Sequence, residues 1–288
     1  MSNITKNEVL SKYSWFNLGG PADFLFRPKN INELGFFLKN LKNSDIHVLG
    51  AGSNTLIRAG GIKGTVIKLS SSFSYLEKTN ENTITVGAAT LDRTVSNFST
   101  EHSISGMEFL SCIPGSIGGG IRMNSGCYGE DFSNIFLSLE AMDFKGNIKK
   151  FTKKDISFFY RGCDLPEELI ILNVSLRGKT ASKGSIEKKQ LNLIEKKKSS
   201  QPSQIKTCGS TFKNPHNRKA WELIKNSNCE NLFVGEASIS KKHCNFFVNN
   251  GKATSLEIEE LIKNVRDEVL KQTGVKLELE IKIVGYNN

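Results

Sequence analysis

The chain has 288 residues, 38% hydrophobic and 24% charged, with a formal net charge of +10. That length buries a substantial core and divides into two or three domains, while no apolar run approaches the roughly 20 residues of a membrane helix and the N-terminus lacks a signal-peptide core, so a cytoplasmic location is expected. The six cysteines form no CxxC pair and no metal spacing with histidine, which argues for reduced thiols and against a disulfide framework or a metal site.

Gly19-Gly20 before Pro21 marks a turn, and residues 23–27 alternate as a strand. Asn30 followed by Glu33 resembles a capping box, after which Leu34, Phe37, Leu38 and Leu41 share one helical face. A short apolar strand at 46–49 breaks at Gly50-Ala51-Gly52-Ser53-Asn54 and resumes at 55–57. That break is either a phosphate nest, in which successive N–H groups line a concavity, or a tight hairpin turn. Strands are expected at 65–69 and 83–87, then a helix capped by Thr90 with Leu91, Val95 and Phe98 inward.

Residues 113–129 hold six of the 25 glycines. Glycine at this density is retained where φ is positive or where a bulky group approaches the backbone, and the stretch suits phosphate oxygens. Its spacing is neither GxGxxG nor GxxxxGK[ST], so neither standard nucleotide fingerprint is present.

Residues 137–144 and 148–151 flank Lys145-Gly146-Asn147 as a hairpin, 153–160 reads as a short helix, and 169–176 is an apolar strand. Residues 177–200 form a charged connecting helix with a domain boundary near its end. Its lysines lack interleaved aromatics or a known motif, which disfavours nucleic-acid binding. Within 208–215, Gly209, Ser210, Lys213 and Asn214 combine a flexible position, a hydroxyl, a cation and a carboxamide, enough polar chemistry for a phosphosugar. Ser210 has no Ser/His/Asp order around it that would make it an acyl-transfer nucleophile. Residues 220–224 are helical, 245–248 a buried strand, and Asn249-Asn250-Gly251 a turn. Thr254 and Glu257 make a capping box for a helix with Ile258, Leu261, Ile262, Val265 and Val269 on its inner face, ended by Gly274. The last stretch alternates, with Val275, Leu277, Leu279, Ile281 and Ile283 opposite Lys276, Glu278, Glu280 and Lys282.

Taken together, Tyr13-Ser14-Trp15-Phe16-Asn17-Leu18-Gly19-Gly20-Pro21-Ala22-Asp23, Gly50-Ala51-Gly52-Ser53-Asn54-Thr55-Leu56, Gly106-Met107-Glu108-Phe109-Leu110 leading into 113–129, Tyr160-Arg161, residues 209–215, Gly235-Glu236-Ala237 and Leu277-Glu278-Leu279-Glu280 resemble the UDP-N-acetylenolpyruvoylglucosamine reductases (UDP-N-acetylmuramate dehydrogenases) nearly end to end. The resemblance implies an α+β chain. Its FAD-binding fold would be of the p-cresol methylhydroxylase/vanillyl-alcohol oxidase type, in two subdomains at 1–70 and 71–200, followed by an α+β substrate-binding domain at 201–288. It implies FAD as cofactor and NADPH as co-substrate, and reduction of an enolpyruvyl double bond on a UDP-sugar in peptidoglycan precursor synthesis. A monomer without nucleic-acid or membrane partners is expected.

Residue by residue, the resemblance places FAD against Gly50, Ala51, Gly52, Ser53 and Asn54 and against Ile113, Pro114, Gly115, Ser116, Gly118, Gly119, Asn124 and Gly126. Ser210 matches the proton donor, and Arg161 and Glu280 the pair stabilising an enolate-like intermediate. Tyr160, Lys213, Asn214 and His243 are the expected substrate contacts. A guanidinium suits negative charge developing on a carboxylate; a glutamate beside it helps only when it carries or shares a proton. Cys163 stands where the Tyr-Arg motif usually continues to serine, and Lys282 where arginine is frequent. The short interval between Arg161 and Gln201 is similar to the subgroup lacking an extra tyrosine-bearing loop. The competing reading is a flavin-dependent oxidase of the same fold on another small substrate, against which Ser210 and Glu280 stand in their motif contexts.

Overall fold

The computed structural model describes residues 3–41 and 44–287. The chain forms two compact units, one of Met1–Thr5, Leu25–Ala51 and Thr65–Lys197, the other of Lys6–Phe24, Gly52–Gly64 and Lys198–Asn288.

The first unit is built on a five-stranded antiparallel sheet ordered Ile148–Thr152, Phe136–Asp143, Leu169–Arg177, Thr83–Gly87, Leu76–Asn80. The apolar run Leu169-Ile170-Ile171-Leu172 takes the central place because both of its faces are covered. Ile170 and Leu172 pack on Phe26, Leu34, Phe37 and Leu38, whereas Leu169, Ile171, Val174 and Leu176 enter the larger core with Val95, Phe109, Ile117 and Phe132. The switch from odd to even positions has a cause: Ala141 opposes Ile171 and Glu140 opposes Asn173, so Leu172 is the extra residue of a β-bulge. The edge strands carry Lys149, Lys150, Glu77 and Lys78, charges that disfavour further strand pairing. Beside this sheet Ile46–Val48 runs parallel to its partner strand, Ile46 opposite Thr65 and Val48 opposite Ile67.

Helix α1 (Ile31–Asn40) starts where Asn30 accepts the Glu33 N–H at 2.8 Å. Glu33 does not return to Asn30; its carboxylate takes the Lys29 N–H and the Asn3 amide, both at 2.6 Å. Helix α2 (Asp92–Glu101) is not capped by Thr90, whose hydroxyl donates to the Tyr75 carbonyl, and Leu91 is exposed rather than inward. Helix α3 (Ile117–Arg122) follows the glycine-rich loop, α4 (Phe132–Ile135) is capped by Asp131, and α5 (Lys183–Ser200) buries only Ile186 and Leu193. Residues 153–160 do not form the expected helix. The Asp155 carboxylate accepts from the Thr152 N–H and hydroxyl, which closes a turn, and the chain then forms a hairpin of Phe158–Phe159 with Gly162–Cys163. Side-chain capture of the backbone by Asp and Thr outcompetes helix formation here.

In the second unit the antiparallel strands Phe233–Val234, Ala237–Ile239 and Phe247–Asn249 pack with α6 (Ala220–Asn226) and α7 (Ser255–Thr273) around Phe212, Ile258, Leu261, Val265 and Val269. Helix α7 has the complete capping box: Thr254 accepts the Glu257 N–H at 3.2 Å and Glu257 accepts the Thr254 N–H at 2.7 Å. It ends at Gly274, φ 70°. The alternating stretch 275–283 is not one strand. Leu277 and Ile281 are buried as expected, but the pairing divides between a bridge from Leu279 to Phe212 and the strand Lys282–Val284, parallel to Thr55–Ile57.

Candidate active site

In the first unit the glycine loops meet at Gly50 and Ser116. A Cβ at Gly50 would encounter only the Ser116 hydroxyl, at 3.0 Å, and one at Gly119 only the same oxygen at 3.8 Å. The loop is anchored from behind, Ile117 N–H donating to Thr90 and Gly118 N–H to Ala88, both at 2.9 Å. The N–H groups of Ser116 and Gly119, by contrast, make no hydrogen bond among the described residues, as expected for the start of a helix. Residues 50–54 likewise donate no backbone hydrogen bond among the described residues. The Lys68 ammonium reaches the Gly50 carbonyl, and burial, with Arg27 nearby, pulls its pKa below the ordinary lysine value. Unused donors, absent side chains and a lysine suit an oxyanion.

Not every residue of the run is available in this way. Asn124, φ 39°, is buried with its amide nitrogen on Asp131 and Phe159 and its oxygen on the Ser133 N–H. A Cβ at Gly126 would lie 2.3 Å from the Glu130 carbonyl, so glycine there serves the tight pairing of Gly126–Cys127 with Glu130–Asp131. Ile113 packs against the core, its N–H on Leu110, and the half-buried Pro114 and Gly115 lead into Ser116.

Tyr160 and Arg161 are the turn of the hairpin that replaces the expected helix. Arg161 sits at φ 59°, a left-handed conformation that costs a non-glycine residue about 1–2 kcal/mol. Its guanidinium lies 4.9 Å from the Tyr160 ring centre and donates to the Gly126 carbonyl at 3.1 Å. Strain at a charged residue presented on a tight turn is characteristic of functional positions.

In the second unit the segment after Ser210 pairs through its backbone with the segment of Glu280. The Glu280 N–H donates to the Thr211 carbonyl at 2.9 Å, and Lys213 N–H donates to Glu278 at 2.8 Å. Asn54 joins them, its side-chain amide donating to the Glu280 carbonyl at 3.0 Å and its carbonyl accepting the Lys282 N–H at 2.9 Å. Gly52, φ 68°, passes so close to Tyr13 that a Cβ would lie 1.9 Å from its carbonyl oxygen, and Ser53 follows it, half-buried. Asn245, which the sequence reading places at the start of the buried strand 245–248, holds residues 211 and 212. Its side chain accepts the Phe212 N–H at 2.9 Å and donates to the Phe212 carbonyl at 2.8 Å, while its own carbonyl accepts the Thr211 N–H.

The remaining expected contacts have identifiable places. Lys213 is half-buried near Glu278, and Asn214 accepts the Ala220 N–H at the start of α6. His243 packs on Phe246 with ring centres 4.7 Å apart, its Nδ1 accepts the Asn245 N–H, and burial lowers its pKa, favouring the neutral ring. Among the described residues no group of three or more His, Cys, Asp or Glu could hold a metal ion, and no helix is long and apolar enough to cross a membrane.

Residues 22–152 match the FAD binding domain model, and residues 201–284 match the UDP-N-acetylenolpyruvoylglucosamine reductase C-terminal domain model. Proteins named UDP-N-acetylenolpyruvoylglucosamine reductase are similar over nearly their whole length. The one from Pelagibacter ubique is 44% identical, covering 98% of this chain and 95% of its own, and the one from Gluconobacter oxydans is 41% identical, covering 98% and 92%. The crystal structure of the Thermus caldophilus UDP-N-acetylenolpyruvylglucosamine reductase superposes with a TM-score of 0.86 at 30% identity, covering 96% of this chain and 97% of that one. The unbonded N–H groups at Gly50, Ala51, Ser116 and Gly119, all in the first unit, suit the diphosphate of FAD. The fold is thus the α+β FAD-binding type with a substrate-binding C-terminal domain, and the chain belongs to the UDP-N-acetylenolpyruvoylglucosamine reductase family.

Proposed function

We propose that this chain uses NADPH to reduce the enolpyruvyl group of UDP-N-acetylglucosamine enolpyruvate to the lactyl ether of UDP-N-acetylmuramate, a step of peptidoglycan precursor synthesis. Bound FAD, once reduced by NADPH, supplies the hydride. The free backbone N–H groups at Gly50, Ala51, Ser116 and Gly119 would hold its diphosphate. The Arg161 guanidinium balances the charge that hydride addition places on the substrate carboxylate. Ser210 delivers the proton to the adjacent carbon, which a hydroxyl can do only with a donor behind it. Glu280 shares a proton with the developing enolate, and Tyr160, Lys213, Asn214 and His243 orient the UDP-sugar.

The observation that supports this reading is the pairing of residues 211–213 with 278–280, in which Thr211, next to Ser210 in the chain, accepts the Glu280 N–H. The test is to load the purified protein with FAD and follow NADPH consumption with and without UDP-N-acetylglucosamine enolpyruvate. Substrate-dependent oxidation of NADPH with formation of the lactyl ether is expected. A protein that retains no flavin, or one whose NADPH oxidation ignores the substrate, overturns the reading. Rapid consumption of oxygen by the reduced protein instead identifies an oxidase.

A further inference from the structure

Near the end of the glycine run, Asn124 is 3% exposed and sits at φ 39°, a left-handed backbone that asparagine adopts more readily than most side chains. Its amide is committed on both sides. The nitrogen donates to the Asp131 carboxylate at 3.2 Å and to the Phe159 carbonyl at 3.1 Å, and the oxygen accepts the Ser133 N–H at 3.0 Å. Two acceptors on one side and a donor on the other fix which way the amide faces. The residue therefore ties the end of α3 to the start of α4 and to the hairpin of Phe158–Phe159 with Gly162–Cys163.

That hairpin pairs only Phe158 with Cys163 and Phe159 with Gly162, and isolated two-stranded ribbons are at best marginally stable. Its turn holds Arg161 at φ 59°, and strain of this kind persists only where the surroundings impose it. The segment 122–126 imposes it. Asn124 grips the first strand at Phe159, the Gly126 carbonyl accepts from the Arg161 guanidinium at 3.1 Å, and the Arg122 carbonyl accepts the Cys163 S–H at 3.7 Å. Past the hairpin, the Arg122 guanidinium donates to the carbonyls of Leu165 at 2.8 Å, Pro166 at 2.6 Å and Leu169 at 2.5 Å. All of these residues lie in the first unit.

We propose that Asn124 is a positioning residue for Arg161: its amide holds the hairpin that presents the guanidinium, and it is not a contact of the cofactor. The consequence for the reaction rests on the role given to Arg161 above. A guanidinium stabilises developing charge when it is already in place, and a displacement of about 1 Å costs about 10²-fold in rate.

The test uses the FAD-loaded full-length protein with Asn124→Gly and Asn124→Asp. Glycine keeps the left-handed backbone without steric cost and deletes the amide. Aspartate keeps the shape and the acceptor for the Ser133 N–H, but turns an oxygen towards the Phe159 carbonyl and the Asp131 carboxylate. Trypsin cleavage at the Arg161–Gly162 bond, mapped by mass, reports opening of the hairpin. It is expected to accelerate about tenfold in both variants relative to cleavage elsewhere in the chain. Unchanged cleavage at this bond overturns the proposal. So does acceleration in the glycine variant alone, which assigns the amide to the start of α4.

FAD affinity, followed by flavin fluorescence, is expected to be unchanged in both variants; a marked loss makes Asn124 a cofactor contact and also overturns the proposal. Stopped-flow traces should show flavin reduction by NADPH unaltered and reoxidation by the enolpyruvyl substrate slowed by about 10²-fold. Faster cleavage with unimpaired reoxidation upholds Asn124 as the holder of the hairpin and refutes the role given to Arg161. The isosteric Asn124→Asp decides the question where the glycine variant folds poorly.

Discussion

Single residues carry the chemistry because their environments differ. Ser210 is a weak acid, and its value lies in where the strand pairing puts it. Replacing it with alanine is expected to leave flavin reduction by NADPH unchanged and to slow reoxidation by the enolpyruvyl substrate by about 10²–10⁴-fold, the usual contribution of a positioned proton donor. Stopped-flow measurement of the two half-reactions separates them, and equal slowing of both contradicts the role. Asn245 holds Phe212, two residues along the chain from Ser210. Its truncation to alanine leaves the Phe212 N–H and carbonyl without their side-chain partners inside the core, a loss of about 1–3 kcal/mol per unsatisfied group. The urea midpoint should fall accordingly; an unchanged midpoint shows that the Phe212 groups find other partners. Local sequence marks Ser210 as one polar group of a stretch suited to a phosphosugar, and Asn245 as the first residue of a buried strand. Their roles rest on hydrogen bonds to residues remote in the chain.

At the scale of elements, α2 and α7 show two outcomes for polar residues at a helix start. In α7 the Thr254–Glu257 box satisfies two backbone N–H groups, and Thr254→Ala should cost about 1 kcal/mol of stability by denaturant titration. In α2 the first residue, Asp92, is fully buried, and neither carboxylate oxygen has a hydrogen-bond partner among the described residues. The helix dipole favours its negative charge by at most about 2 kcal/mol, whereas desolvating an unpaired carboxylate costs several. Burial therefore dominates and raises the pKa well above 3.8. The sign follows by linkage: a carboxyl whose folded pKa is raised contributes stability that is fully present below its unfolded pKa and is lost as pH rises through the folded value. Asp92→Asn removes that loss. The variant is expected to be more stable than the parent at pH 8 and to lose its advantage as pH falls towards 4; a uniform shift at both ends contradicts this account. The bulge at Leu172 is an element-scale feature of the same kind, a change of face within an apolar run whose periodicity carries no trace of it.

For the whole molecule, the backbone N–H groups of the glycine loops that no protein group satisfies among the described residues are donors that a diphosphate would take up. FAD that binds only the folded state adds about 2.7 kcal/mol at a hundredfold excess over its Kd. Removal of FAD should therefore lower Tm, and titration back should raise it in proportion to the logarithm of free FAD. A Tm independent of FAD excludes the loops as its binding site. The family and its fold were legible in the sequence because glycine itself marks where another segment comes too close for a side chain: at Gly52 a side chain would strike the backbone of Tyr13, and at Gly50 and Gly119 it would enter the space beside Ser116. Local signals also located the α7 cap, the Gly274 terminus and the hairpin around residues 145–147. Only the tertiary structure decided that residues 153–160 turn into a hairpin presenting Arg161, that Asn245 clamps Phe212, and that Thr211 pairs with Glu280. The physical reason is one of range. Periodicity and caps report on interactions within a few residues, and a glycine shows that a close approach occurs without naming its partner, whereas strand register and side-chain pairing depend on segments far apart in the chain.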